Sequence, residues 1–134
     1  MPFAGATFDS VVNSDTLEHV ADDRRALEEI RRVLVPGGLA ILTVPQSDDR
    51  HETDEDPSVV TSEARASRYG QPDHVRNYGL DFGERLVQAG FRVTSADASS
   101  FDPSFAAVHV LRPPVPLEAP WGWNNRRVYF AERC

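Results

Sequence analysis

The 134-residue sequence predicts an α/β domain with a parallel β-sheet. Three observations carry this prediction: a strand-like run at residues 8–13, an amphipathic helical pattern over residues 22–34, and a largely apolar run at residues 39–44. A strand, a crossover helix and a second strand make a βαβ unit, in which the two strands run parallel.

The first strand is predicted over Phe8–Asn13, and its last residues are polar. Asp22 or Asp23 starts the helix, because either carboxylate can accept hydrogen bonds from the free backbone N–H groups of a first turn. The apolar positions of this helix recur at helical spacing: Leu27, Ile30, Val33 and Leu34. The Pro-Gly-Gly run at residues 36–38 is expected to stop it, since proline cannot continue a helix.

The run Leu39–Val44 is typical of a strand covered on both faces. Residues 46–65 then carry seven acids against two arginines, which indicates an acidic mobile loop. A second helix is predicted from about Asp81 to Ala89, with Gly90 as its stop. Strands follow at residues 91–96 and 127–131, whereas residues 102–125 give no pattern. The whole chain, residues 1–134, is expected to be a single domain.

Composition narrows the possible partners. The net charge of −7 disfavours nucleic acids and anionic membranes, because both repel an acidic protein at long range. No apolar run approaches a membrane span and no basic region precedes an apolar stretch at the N-terminus, so a cytoplasmic location is expected. The one cysteine, Cys134, can form neither an intrachain disulfide nor a cysteine-based zinc site.

Six segments form a recognisable series. They read MPFAGATFDSVV at residues 1–12, DTLEHV at 15–20, RVLVPGG at 32–38, YGQPDHVRNYG at 69–79, AGFRV at 89–93 and VYFA at 128–131. In this order they resemble the class I S-adenosylmethionine-dependent methyltransferases, type 11-like, from the approach to the fourth strand onwards. The resemblance implies the C-terminal half of a Rossmann-like sheet whose strand order is 3-2-1-4-5-7-6.

The same resemblance implies S-adenosyl-L-methionine as the cofactor, with an incomplete site. Strands 1–3 of the family are absent from these residues, together with the Gly-rich loop after strand 1 and the acid that ends strand 2. None of the eight glycines forms a G-x-G pattern. Met1 falls within a segment that is continuous in the family, which favours a truncated gene. We expect the isolated chain to bind the cofactor weakly or not at all.

By resemblance, the carboxyl end of the fourth strand lies beside the methionine part of the cofactor. That role falls to four residues, namely Asn13, Ser14, Leu17 and His19. Ligands of parallel sheets do bind beyond the carboxyl ends of strands. The alternative left open is that the first two form a polar turn and that the histidine caps or packs locally.

The substrate side is assigned to Gln71, His74 and Arg76. His74 could act as the catalytic base that removes a proton from a hydroxyl or amine acceptor, since histidine has a suitable pKa. Arg76 could hold a carboxylate or phosphate of the acceptor through its planar fork. The alternative is that Asp73, His74 and Arg76 hydrogen-bond one another to pin the loop.

No metal site is expected. His51 lies among acids, but no spacing there supports a fixed geometry. Trp121 and Trp123 could line an apolar acceptor pocket or could cover the sheet.

Three interpretations of function compete. The first is a methyltransferase half-enzyme acting on a small-molecule acceptor, completed by an N-terminal half. The second is a non-catalytic remnant or binding module that self-associates, as a homodimer, through the exposed edge of its first strand. The third, a dehydrogenase fragment, shares the parallel sheet but not the LEH and RVLVPGG segments.

Overall fold

The computed structural model describes residues 1–109 and 127–134. Its strands are β1 (Phe8–Ser14), β2 (Leu34–Thr43), β3 (Asp54–Glu55), β4 (Arg76–Asn77), β5 (Phe91–Ala96) and β6 (Val128–Arg133). Its α-helices are α1 (Asp23–Val33), α2 (Ser62–Tyr69), α3 (Phe82–Gln88) and α4 (Pro103–Val108). Single 3-10 turns lie at Leu17–His19 and Ala98–Ser100.

Four strands form the main sheet in the order β1-β2-β6-β5. β1 and β2 run parallel, whereas β6 is antiparallel to both of its neighbours. This arrangement is the 4-5-7-6 portion of the expected sheet, since β6 is the seventh strand inserted between the fifth and the sixth. The predicted α/β class and the partial Rossmann-like methyltransferase fold are confirmed.

The βαβ unit is present, with one correction at its turn. Asp22 caps α1 by accepting a hydrogen bond from the backbone N–H of Arg25 at 3.0 Å. The helix ends at Val33, before the Pro-Gly-Gly run, and the chain enters β2 directly. The pairing of β1 with β2 then jumps from Phe8–Leu34 to Ser10–Leu39, so residues 36–38 form an irregularity within the strand.

The hydrophobic core lies on one face of the sheet, beneath α1 and α3. Its strand residues include Ala40, Leu42, Tyr129 and Ala131, all of which are buried. On the opposite face Ile41 is only half-buried and Val12 is 72% exposed. The expectation that residues 39–44 are covered on both faces is therefore met on one face only.

The acidic stretch at residues 46–65 contains regular structure. β3 pairs with β4, and α2 begins at Ser62. Arg68 of α2 binds the carboxylates of Asp54 and Asp56, each at 2.7 Å. These ion pairs connect the acidic stretch to α2, a helix that the sequence did not predict. The mobility of the stretch stays a prediction.

The remaining predicted elements are confirmed where the structure describes them. α3 ends one residue before Ala89, and Gly90 follows with φ +89°. β5 and β6 occupy the two predicted strand positions. Helix α4 lies within residues that gave no pattern, and Trp121 and Trp123 lie outside the described residues. None of the described helices is long and apolar enough to cross a membrane.

Candidate functional site

The carboxyl end of β1 presents polar groups, as the sequence predicted. The Ser14 hydroxyl lies 2.9 Å from the hydroxyl of Thr43 on the neighbouring strand. Asp15 then turns the chain with φ +46°, an uncommon conformation for a residue other than glycine. Asn13 is half-buried, and its Oδ1 atom is buried without a hydrogen-bond partner. An unpaired buried acceptor at this position leaves one hydrogen bond for a ligand to supply.

A cavity of about 390 Å³ opens beside this strand end. Asn13 and Thr16 form part of its wall, and the rest comes from Met1, from Leu17 and Val20, and from apolar and charged side chains at and near α1. Leu17 is a core residue, only 1% exposed. Leu17 could therefore contribute to a cofactor site only as part of the cavity wall.

Glu18, His19 and His74 form a Glu–His–His cluster next to this cavity. One potential ligand atom from each residue lies within 4.8 Å of those from the other two. The two imidazole rings meet edge to face, with centroids 4.8 Å apart. A backbone hydrogen bond of 2.8 Å from the N–H of Val75 to the carbonyl of Glu18 joins the two segments. The structure thus brings together two of the histidines that the sequence assigned to different sides of the site.

Burial shifts the pKa values of the inner two members in opposite directions. Burial raises the pKa of Glu18, against a backbone hydrogen bond and the nearby His19 ring. Burial also lowers the pKa of His74, and the nearby His19 adds to this effect. A hydrogen bond from the His74 ring to the backbone of Tyr69 works the other way. A neutral His74 ring at neutral pH is the form that can accept a proton.

Arg76 is buried, at 4% exposure, and all three nitrogens of its guanidinium donate hydrogen bonds. It donates to the carbonyls of Leu17, Val20 and Ala21 at 2.9, 2.5 and 2.9 Å. Its Nε atom donates to Glu55 at 2.9 Å. Gripping an acceptor carboxylate would require these bonds to break, so the geometry favours a pinning role. The partners are carbonyls of residues 17–21 and the Glu55 side chain of β3, not Asp73 and His74 as the open alternative supposed.

A buried ionic network extends from Arg76 and was missed by the sequence analysis. Asp23 accepts hydrogen bonds from the Tyr78 hydroxyl at 2.9 Å and from Arg85 at 3.0 Å. Arg85 also donates to Glu55 at 2.8 Å. These charges come from four separate segments of the chain, so only a tertiary structure reveals that they meet.

Gln71 lies at the turn between α2 and β4 and is exposed. Its carbonyl accepts a hydrogen bond from the backbone N–H of His74 at 3.4 Å, so its main chain helps to place that residue. Its predicted role in binding substrate stays a prediction, as does that of the His74 side chain.

Comparisons with known proteins agree with this fold. Residues 1–42 match the family model of the methyltransferase domain. The mitochondrial arginine-hydroxylase NDUFAF5 of Mus musculus is 29% identical over 113 residues, which are 83% of this chain and 32% of that protein. This chain therefore spans about a third of the length of that relative.

Two solved structures share the fold at low sequence identity. A chain of the Haloferax volcanii complex between the Trm112 methyltransferase activator and a methyltransferase gives a TM-score of 0.58 at 15% identity, covering 99% of this chain and 57% of that one. The Burkholderia thailandensis 1,6-didemethyltoxoflavin-N1-methyltransferase, with S-adenosylhomocysteine bound, gives a TM-score of 0.58 at 16% identity. The match covers 98% of this chain and 46% of that one.

The class of fold follows from the strand order, the match to the family model and the similar solved structures. The described part of the chain has the class I methyltransferase fold, from its fourth strand to its seventh. In sequence it is most clearly similar to the methyltransferase domain family over residues 1–42.

Proposed function

We propose that this chain supplies the methionine side and the acceptor side of an S-adenosylmethionine-dependent methyltransferase site. The observation that carries the proposal is the carboxyl end of β1, where Asn13 keeps a buried, unpartnered oxygen beside a cavity. In open α/β sheets, ligands bind at this edge. The methyl acceptor is a small molecule of a class that the site leaves open.

The residues present fit part of the cofactor. Asn13 would accept a hydrogen bond from the ammonium group of the methionine part, and the Ser14 hydroxyl lies next to it in the chain. The ribose and adenine would have to be held by groups outside this chain, since the sequence contains no G-x-G turn. Such groups would come from an N-terminal half, encoded in the same protein or supplied by a partner.

The bound cofactor supplies an electrophilic methyl group, and this chain's residues align and prepare the acceptor. Arg76 holds the Leu17–His19 turn in place through its bonds to the carbonyls of Leu17 and of Val20, the residue after the turn. His74, buried beside that turn, would take the proton from an acceptor hydroxyl or amine. The relative named as an arginine-hydroxylase shows that proteins similar to this chain carry other activities too.

A nuclear magnetic resonance titration of the ¹⁵N-labelled full chain with S-adenosylhomocysteine tests this proposal. We expect millimolar ligand to shift amide resonances over residues 13–19, at the carboxyl end of β1. Shifts confined to another part of the chain, such as the cavity between α3 and β5, would refute the proposal. The absence of shifts in a folded chain would refute it equally.

Asn13→Ala provides the specific variant and Ser95→Ala its matched control. Asn13 and Ser95 lie in one lateral row of the sheet, through Leu42 and Tyr129, but at opposite edges. We expect the alanine at residue 13 to reduce the ligand-induced shifts several-fold. The variant at residue 95 should leave them unchanged.

A further inference from the structure

The geometry points to a metal site: Glu18, His19 and His74 bind one divalent first-row transition-metal ion. This inference goes beyond methyl transfer and departs from the expectation that the chain holds no metal. It concerns residues that the sequence placed on the cofactor and substrate sides, and it does not involve the acidic run around His51.

The ligand set is complete enough to hold an ion. Two imidazole nitrogens and one carboxylate oxygen lie within 4.8 Å of one another, and His19 Nε2 is 3.6 Å from Glu18 Oε1. In a tetrahedral site with bonds of about 2.1 Å, the ligand atoms lie about 3.4 Å apart. Side-chain movements of about 1 Å or less therefore bring the three atoms to bonding distance.

The outer contacts of both histidines are those of metal-bound imidazoles. His19 Nδ1 lies 3.2 Å from the carboxylate of Asp73, which leaves Nε2 turned towards Glu18. The His74 ring donates to the backbone of Tyr69, the last residue of α2. Histidine ligands characteristically bond a carboxylate or a carbonyl through their second nitrogen, because this contact fixes the ring's orientation.

The buried Glu18 carboxylate has an oxygen without a partner, and a bound cation would supply one. Its side chain is 2% exposed, and its Oε2 atom is buried without a hydrogen-bond partner. A buried carboxylate oxygen without a donor is costly, since neither water nor a protein group compensates its charge. The His19 Nε2 atom lies 3.6 Å from the other carboxylate oxygen, Glu18 Oε1, a distance too long for a hydrogen bond.

The position of the cluster gives the ion access and open coordination sites. The His19 side chain is 35% exposed, whereas His74 is buried, so an ion enters from the His19 side. Two histidines and one carboxylate suit zinc or ferrous iron and leave positions for water or an acceptor atom. When the ion is bound, His74 is a ligand and no longer the proton acceptor.

Isothermal titration of the full, EDTA-treated chain with zinc chloride tests the site, and cobalt(II) absorption reports the coordination. We expect one zinc ion per chain. His19→Ala and Glu18→Gln should each weaken binding at least tenfold, and Asp73→Asn, acting through His19, should weaken it by a smaller factor. His74→Ala removes a buried side chain and can unfold the chain. His19 is partly exposed, so His19→Ala should keep the fold and provides the test in that case.

Two control variants separate this site from two other potential metal-binding groups of the chain. His51→Ala removes an exposed histidine of the acidic run, and Cys134→Ser removes an exposed thiol. Both should bind zinc as the unaltered chain does. A folded chain that binds no zinc, binding that survives His19→Ala and Glu18→Gln, or binding lost in either control would overturn the proposal. None of these results depends on methyl transfer, so the two proposals fail separately.

Discussion

Arg76 stabilises the site because one guanidinium donates to four acceptors in two separate segments of the chain. Three are carbonyls around the Leu17–His19 turn and the fourth is the carboxylate of Glu55. Removing the side chain would abolish all four hydrogen bonds, although the Leu17 carbonyl and Glu55 would each keep one other donor. The sequence identified the residue but assigned it to the substrate, because nothing local indicates that its carbonyl partners lie more than fifty residues away and its carboxylate partner 21 residues away.

We therefore expect Arg76→Ala to lower the free energy of unfolding by about 3 kcal/mol. Arg76→Lys should recover little of this loss, since an ammonium group cannot reach all four acceptors. Urea unfolding measures both changes. Arg92→Ala is the control, because Arg92 forms an exposed pair with Glu132 and its removal should have little effect. A loss at residue 76 no larger than at residue 92 would contradict the pinning role.

The pH dependence of stability reports on Glu55. Burial alone would raise the pKa of this carboxyl, but hydrogen bonds from Arg85 and Arg76 outweigh it and the pKa is lowered. The resulting stabilisation is present above the unfolded-state pKa of about 4.3 and is lost as the pH falls through the lower native value.

Glu55→Gln should therefore destabilise the chain more at pH 7 than at pH 3. Urea unfolding at the two pH values measures the difference. Glu84→Gln replaces an exposed glutamate of α3 and should leave the pH profile unchanged. An equal loss at both pH values for the residue 55 variant would show that its charge plays no part.

At the scale of the elements, two glycines with positive φ adopt similar backbone conformations in different surroundings. Gly90, after α3, has φ +89°, and a Cβ atom there would lie 3.0 Å from Arg31 Nε. Gly37, within the irregular part of β2, has φ +77° and nothing within 4 Å of such an atom. Substitution at the first position adds a steric conflict to the backbone strain that both positions share.

Gly37→Ala should accordingly lower the free energy of unfolding by about 1 kcal/mol, through backbone strain alone. Gly90→Ala should cost more, because Arg31 must move and its 3.1 Å bond to the Gly90 carbonyl is disturbed. Thermal unfolding of the two variants under the same conditions tests this order. A larger loss at residue 37 would contradict it.

The elements that the sequence predicted correctly are those with a local signal. The spacing of Leu27 and Ile30, the Asp22 cap and Gly90 each act within one helix, and the structure retains them. Helix α2 was missed because its apolar surface is small and its acidic neighbours are compensated by Arg68 through tertiary ion pairs. The short strands β3 and β4 stabilise each other across a separation of about twenty residues, which no window of sequence detects.

At the scale of the whole molecule, β1 is an edge strand. Within the described residues it has a hydrogen-bonded neighbour on one side only, and Val12 on it is 72% exposed. An exposed edge with apolar side chains is a template for pairing with another chain. The strand order of the family predicts this edge, whereas no sequence pattern predicts the Glu–His–His cluster, because its histidines are 55 positions apart.

We expect the isolated chain to self-associate through β1, and light scattering over a range of concentrations measures this. Val12→Lys should reduce the association, because a charged side chain disfavours edge pairing. Val87→Lys places the same charge on α3, where Val87 is 57% exposed, and should not affect it. A chain that remains monomeric at every concentration would contradict this expectation.

We propose that these 134 residues form the methionine and acceptor side of a methyltransferase site, and that the groups which hold ribose and adenine come from elsewhere, since the sequence has no G-x-G turn. Isothermal titration of the purified, folded chain with S-adenosylhomocysteine is the first test of this proposal. We expect binding weaker than micromolar, too weak to give a resolved isotherm at micromolar concentrations. Micromolar binding would refute the proposal, because the chain would then hold a complete cofactor site.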